Sequence, residues 1–347
     1  MSLIMPLSSW PDQDRAMWLN LQKSGGPLDD RGALSHLRAT SLNTLELRYG
    51  RWLRWLETTD PDACALPPTV RATIERLSAW LGDLSHTKPM TRLMFIDGVI
   101  RILSAADPGK DWSAQRKLKA GLKRDAGRGD RDRKLGRILS SGVLLRAGIT
   151  LATKHAEAAG TPLEAMKRLR DGTMIAMLAL MPMRRRAFAG LRIGTSLIVS
   201  GETIIVALPD ALTKSGQPWE AEVPDVIAPL LRRYIREVRP ALMQRGGTKH
   251  DFLWVGKKGA PLEMSYLSSR IAQQIRHLTG VRVPMHFFRD AAATTLARHS
   301  PESARLIRPI LAHSSFGTAE RHYIHAQTIE AGRDYAALIK KKRKALR

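Results

Sequence analysis

Residues 285–297 read MHFFRDAAATTLA, and the meaning given to this stretch governs the rest of the chain. Its apolar and small residues recur at helical spacing, which predicts a helix from His286 to Arg298. His286 and Arg289 stand three apart and so share one face of that helix. The small run Ala291-Ala292-Ala293 then leaves room for a bulky backbone to approach. Two further residues with chemistry of their own follow, His313 in Leu311-Ala312-His313-Ser314-Ser315 and Tyr323 in Arg321-His322-Tyr323-Ile324-His325. Alone, each signal is weak. A turn histidine usually makes a structural hydrogen bond, and a single tyrosine usually packs at a helix edge.

Upstream, a helical pattern runs over Leu163–Met181, and the near-continuous apolar run Met174–Met183 reads as buried helix. Arg184-Arg185-Arg186 follows Pro182 directly, and three adjacent arginines at the end of an apolar element are hard to explain as packing. Next come β-like stretches at Ser196–Ser200, Thr203–Leu208 and Trp219–Val223. Lys214 opens the turn Lys214-Ser215-Gly216-Gln217-Pro218 between the last two. Further helices are expected at Ile138–Ala159, Val226–Leu242, Ser265–Leu278 and Glu302–Leu311. Nearer the start, Thr44–Leu56 carries Leu45, Tyr49, Trp52, Leu53 and Leu56 on one helical face and Arg48, Arg51 and Arg54 on the other. That arginine face suits either solvent or a phosphate backbone. Helices are also expected at Thr69–Leu81 and Pro89–Ala105.

The 347 residues suffice for two packed domains. Lys and Arg number 56 against 32 acids, a formal net charge of +24, which points to a polyanionic partner, nucleic acid before a membrane surface. Cys64 is the sole cysteine, which excludes an internal disulfide and a cysteine-rich zinc site and fits a reducing cytoplasm. The opening MSLIMPLSSWPDQDR lacks the pattern of a secretory signal, and no apolar run is long enough to span a bilayer. Between Arg116 and Arg137 the run RKLKAGLKRDAGRGDRDRKLGR holds ten basic residues, three acids and four glycines, the composition of a basic linker.

Cutting a phosphodiester by transesterification has four demands. A nucleophile attacks phosphorus, and donors hold the charge on the non-bridging oxygens. An acid protonates the departing 5′-oxygen, and a further group takes the nucleophile's proton. The chain has five tyrosines, Tyr49, Tyr234, Tyr266, Tyr323 and Tyr335, and Tyr323 stands between two histidines. A phenol with a pKa of about 10 needs a cationic setting to act as phenolate. Arginines, a turn lysine and histidines supply the other roles, so the set can attack a phosphodiester without a metal.

The order Arg184, Lys214, His286-x-x-Arg289, His313, Tyr323 resembles the tyrosine recombinase (phage integrase) family. The likeness runs over roughly residues 165–330. MIAMLALMPMRRRAFAGLR (174–192) looks like the segment with the first catalytic arginine, and ALTKSGQPWEAEVP (211–224) like the β-hairpin lysine segment. MHFFRDAAATTLA looks like the second box and LAHSSFGTAERHYIHA (311–326) like the third. The resemblance implies that Tyr323 attacks the scissile phosphate to form a 3′-phosphotyrosine. Arg184, Arg289 and His313 would then hold the non-bridging oxygens, Lys214 would be the general acid, and His286 would assist proton transfer. It also implies a homotetramer on paired double-stranded DNA sites, helped by accessory DNA-bending or directionality proteins. The setting it implies is a mobile element and a cytoplasmic, nucleoid-associated enzyme with no membrane partner.

Departures from the family pattern stand beside this. Pro182-Met183-Arg184 occupies the place of the usual Gly-Leu-Arg, which leaves Arg185 and Arg186 as rival assignments. Ala187 stands where an acid is common, and the step from His313 to Tyr323 is one residue longer than usual. The fold expected is mainly α with a small antiparallel β-sheet. It comprises a helical, core-binding-like DNA-binding domain at 1–115, a linker at 116–137 and a catalytic domain at 138–347 that ends in the basic tail KKKRKALR. Two alternatives remain, a type IB topoisomerase using the same chemistry and a non-catalytic DNA-binding protein on the same fold.

Overall fold

The computed structural model describes residues 2–26, 29–127, 136–213, 218–247 and 249–311. It divides into two units, Met1–Arg131 and Asp132–Arg347. The architecture is mainly helical with one small antiparallel sheet, the fold class the sequence predicts.

In the first unit the helices Asp12–Gln22, Ala39–Thr59, Ile74–Asp83, Pro89–Ala106 and Ser113–Ala126 enclose an aromatic core. Leu45, Tyr49, Trp52, Leu53 and Leu56 are all buried, as their spacing requires. Trp52 packs on Trp55 and Trp80. The opposite arginine face is largely absorbed by protein contacts. Arg48 covers Gly98, where a Cβ would lie 2.7 Å from the Arg48 Cδ. Arg51 lies 4.8 Å over the Phe95 ring, and Arg54 pairs with Glu57.

Two sequence expectations are corrected in this unit. The helix expected at Thr69–Leu81 is broken into Pro68–Arg71 and Ile74–Asp83, with the Thr73 side chain capping the second by accepting from the Arg76 backbone N–H. The break carries Arg71 into the core, where its Nη1 donates to Asp14 Oδ2 at 2.6 Å. Its Nε and Nη2 donate to the Leu66 and Cys64 carbonyls, and the Tyr49 hydroxyl donates to Asp14 at 2.6 Å. A buried charge pair is tolerable when its hydrogen bonds are filled in this way. Burial, followed by the Asp14 carboxylate, pushes the Tyr49 phenol well above its ordinary range.

The second correction concerns the linker at 116–137, whose first half is helix. Ser113–Ala126 packs Leu118 and Leu122 onto the core, Gln115 donates to the Ala72 carbonyl at 2.9 Å, and Lys119 pairs with Asp97 at 3.1 Å. Gly127, at φ +52°, ends the helix in a backbone conformation that other residues rarely adopt.

In the second unit Ser141–Thr150, continued by the helical turn Leu151–His155, crosses Pro162–Leu180 through two glycines. A Cβ on Gly172 would sit 2.4 Å from the Ala152 nitrogen, and one on Gly148 would sit 2.5 Å from the Ala176 nitrogen. Because backbone meets backbone there, Gly172→Ala is expected to destabilise the protein by about 1–3 kcal/mol, read as a lower urea midpoint at unchanged slope.

Strands β1 (Leu197–Ser200), β2 (Thr203–Leu208) and β3 (Trp219–Glu222) form the sheet in that order, with Leu197 opposite Val206 and Ile205 opposite Glu222. Ile204, Val206 and Leu208 alternate inward from β2 onto the core. The helical stretches Ala228–Arg233, Tyr234–Val238 and Arg239–Met243 follow, then Met264–Thr279 and His286–His299. The helix expected at Glu302–Leu311 is two short ones, Pro301–Arg305 and Ile307–Leu311, separated at the half-exposed Leu306. Ala292, Ala293 and Ala297 are buried with Ile307 and Leu311, so these small residues make room for neighbouring helices.

Candidate active site

The apolar helix Pro162–Leu180 stops ahead of Pro182, and Arg184 then takes an extended conformation (φ −68°, ψ 145°) as the residue leading into the short helix Arg185–Ala189. Arg289 reaches the same place from the first turn of His286–His299. Its Nη1 donates to the Pro182 carbonyl at 2.9 Å and its Nη2 to the Leu311 carbonyl at 2.5 Å. One guanidinium thus ties three segments together. Arg184 and Arg289 line a single cleft with Ala187, Thr213, Trp219 and Leu311. Arg185 and Arg186 are exposed, so Arg184 is the member of the triplet that faces Arg289.

Burial pushes the Arg289 pKa down to about 10, with the charge of Arg184 adding to the effect and Asp290 opposing it. Burial also lowers that of Arg184. Both remain cationic at neutral pH. The Arg184 side chain makes no hydrogen bond or ion pair with any described residue, and Ala187 places a buried methyl where an acid is common in the family pattern. Two partly desolvated cations sharing a cleft are repelled by one another, and an anion between them relieves that repulsion. The arrangement therefore suits a phosphate.

The other expected residues fall differently. His286 is the first residue of its helix, exposed, with its ring edge-on to Phe287 at 4.6 Å, and it does not line the cleft. Lys214, His313 and Tyr323 lie outside the described residues. Sequence neighbours of the first two line the cleft: Thr213 directly precedes Lys214, and Leu311 stands two residues before His313. Of the other tyrosines, Tyr49 and Tyr234 are fully buried, and burial pushes Tyr234 up to about 12. The sequence reading missed the carbonyls of Pro182 and Leu311 and the Trp219 side chain. Every residue carries a carbonyl, so no sequence signal marks the two that Arg289 selects.

The model of the phage integrase family matches residues 153–330, more than half of the chain. The chain belongs to the phage integrase family. It is a site-specific recombinase of the tyrosine type, and the matched span contains Arg184, Lys214, His286, Arg289, His313 and Tyr323. Among solved structures, the fold of this family member is similar to that of the XerH site-specific recombinase bound to difH substrate in a pre-cleavage complex. That likeness has a TM-score of 0.58 at 15% identity and covers 95% of this chain and 97% of the other. A Tn1549 transposon integrase in complex with transposon right-end DNA gives 0.52 at 14% identity, covering 88% and 96%. No curated protein sequence matches the chain. Among the described residues no helix is long and apolar enough to cross a membrane.

Proposed function

We propose that this recombinase cuts and rejoins double-stranded DNA through a 3′-phosphotyrosine at Tyr323. The Tyr323 oxygen attacks phosphorus, and the new O–P bond forms as the bond to the 5′-oxygen breaks. Lys214 donates the proton that the leaving 5′-oxygen takes up, and His286 assists removal of the phenol proton. Arg184, Arg289 and His313 hold the non-bridging oxygens as charge builds. The phosphotyrosine keeps the energy of the broken bond, so a 5′-hydroxyl from a second strand reverses the step without ATP or a metal.

The observation that carries this reading is the pairing of Arg184 with Arg289 in one partly buried cleft, with Arg289 held by two carbonyls. Preorganised donors at the place where charge develops are a large term in such catalysis. The net charge of +24 favours a DNA partner and a marked loss of affinity with salt. The solved relatives are described as bound to difH substrate and to transposon right-end DNA, which agrees with that partner. The helical N-terminal unit is assigned to DNA contact and the second unit to catalysis. Four protomers would act on two sites within the cytoplasm, at the nucleoid, with accessory proteins setting direction.

The test is a suicide-substrate assay without metal or ATP, using nicked duplexes from DNA flanking the gene. A covalent protein–DNA band is the expected result. Tight, salt-sensitive binding with no adduct on any duplex the protein selects from random sequence would instead mark a silent DNA-binding protein.

A further inference from the structure

The Arg184 side chain has no hydrogen-bond partner among the described residues, so its backbone sets its position. That backbone leads into Arg185–Ala189, five residues long, far too short to hold its own conformation. Something outside the helix must fix it. Trp254 is 1% exposed, and its indole Nε1 donates to the Phe188 carbonyl in that helix at 3.0 Å. Its ring lies against Phe188 and Tyr234, with centroids 5.0 and 5.3 Å away.

Trp254 is in turn held on both sides along the chain. The Tyr234 hydroxyl donates to the Leu253 carbonyl at 2.9 Å and accepts from the Val255 N–H at 3.0 Å. The Val255 carbonyl accepts from Arg170 Nη1 at 2.8 Å, while Asp171 binds both Arg170 and Arg270. A buried polar network therefore leads from this charged cluster to one carbonyl of the helix that begins next to Arg184. Fully satisfied networks of this kind impose a single geometry.

We propose that Trp254 is a positioning residue for Arg184. Its indole N–H holds the Phe188 carbonyl and thereby sets the short helix from which Arg184 enters the cleft. The proposal rests on the reading of Arg184 as a phosphate-binding residue. The packing of the ring and the donation by its N–H are separable. Trp254→Phe keeps an aromatic ring and loses the donor. Benzothienylalanine at 254, with sulfur in place of the N–H, keeps the shape as well.

The experiment measures single-turnover cleavage of a nicked duplex that the wild-type chain cuts, together with DNA affinity and Tm. It uses both Trp254 changes, each alone and combined with Arg184→Ala. Losing one neutral hydrogen bond that fixes a reacting group is expected to slow cleavage about tenfold at unchanged DNA affinity. In the Arg184→Ala background neither change should slow cleavage further, because the group they position is gone. Equal slowing in both backgrounds, or no slowing by the isostere in the wild-type background, overturns the proposal alone. Cleavage at the wild-type rate by Arg184→Ala overturns the reading of Arg184, and the proposal with it.

Discussion

Tyr323→Phe is expected to bind DNA as tightly as the wild-type chain and to give no covalent protein–DNA product. The substitution removes one oxygen and keeps the ring, so net charge is unchanged while the proposed attacking atom is lost. Tyr49 and Tyr234 are fully buried, and burial raises both phenols, so neither can reach a phosphate. The measurement is a denaturing gel of the suicide-substrate reaction beside a binding titration at the same salt. If adducts persist at the wild-type level, Tyr323 is not the nucleophile, and Tyr335 becomes the residue to change.

Arg289→Ala should show the next largest effect, and a compound one. Removing one donor to the transition state costs about 3 kcal/mol, on the order of a hundredfold to a thousandfold in cleavage rate. It also leaves the carbonyls of Pro182 and Leu311 without their donor, so the melting temperature should fall together with the rate. Arg184→Ala provides the contrast. That side chain holds no described residue and repels Arg289, so its loss should lower the rate while leaving the melting temperature unchanged or slightly higher. Arg289→Lys keeps the charge but gives up the planar fork that reaches two carbonyls at once, and should remain impaired. Rapid-quench cleavage and thermal melts on the three variants separate these outcomes. An Arg289→Ala chain that melted at the wild-type temperature would show that the two carbonyl bonds contribute nothing to stability.

Local periodicity carried much of the fold. The helix Ala39–Thr59 was legible because its buried residues recur at helical spacing, and β2 because its buried residues alternate. The break before Ile74 was not, because it depends on Arg71 finding Asp14, a partner remote in sequence. The helix Ser113–Ala126 was hidden by its own charge. Leu118 and Leu122 are too few to announce a buried face among so many lysines and arginines, and only the core they meet makes them one. At the site, the resemblance assigned Arg184 and Arg289 to the same phosphate oxygens, and both side chains line one cleft. The carbonyls that hold Arg289 and the indole that holds Phe188 arise from tertiary geometry, for which a linear pattern has no sign.

The crossing at Gly148 and Gly172 limits how hybrids of this protein can be built. Two main chains touch there with no side chain between them, so the fit resides in the path of both helices, and a relative of only 15% identity cannot be assumed to share it. A chimera that takes Ser141–Thr150 from one parent and Pro162–Leu180 from another would have to re-form that contact without side chains able to adjust. Exchange of parts should therefore keep the two helices from a single parent and place the splice in the basic stretch that follows Ser113–Ala126.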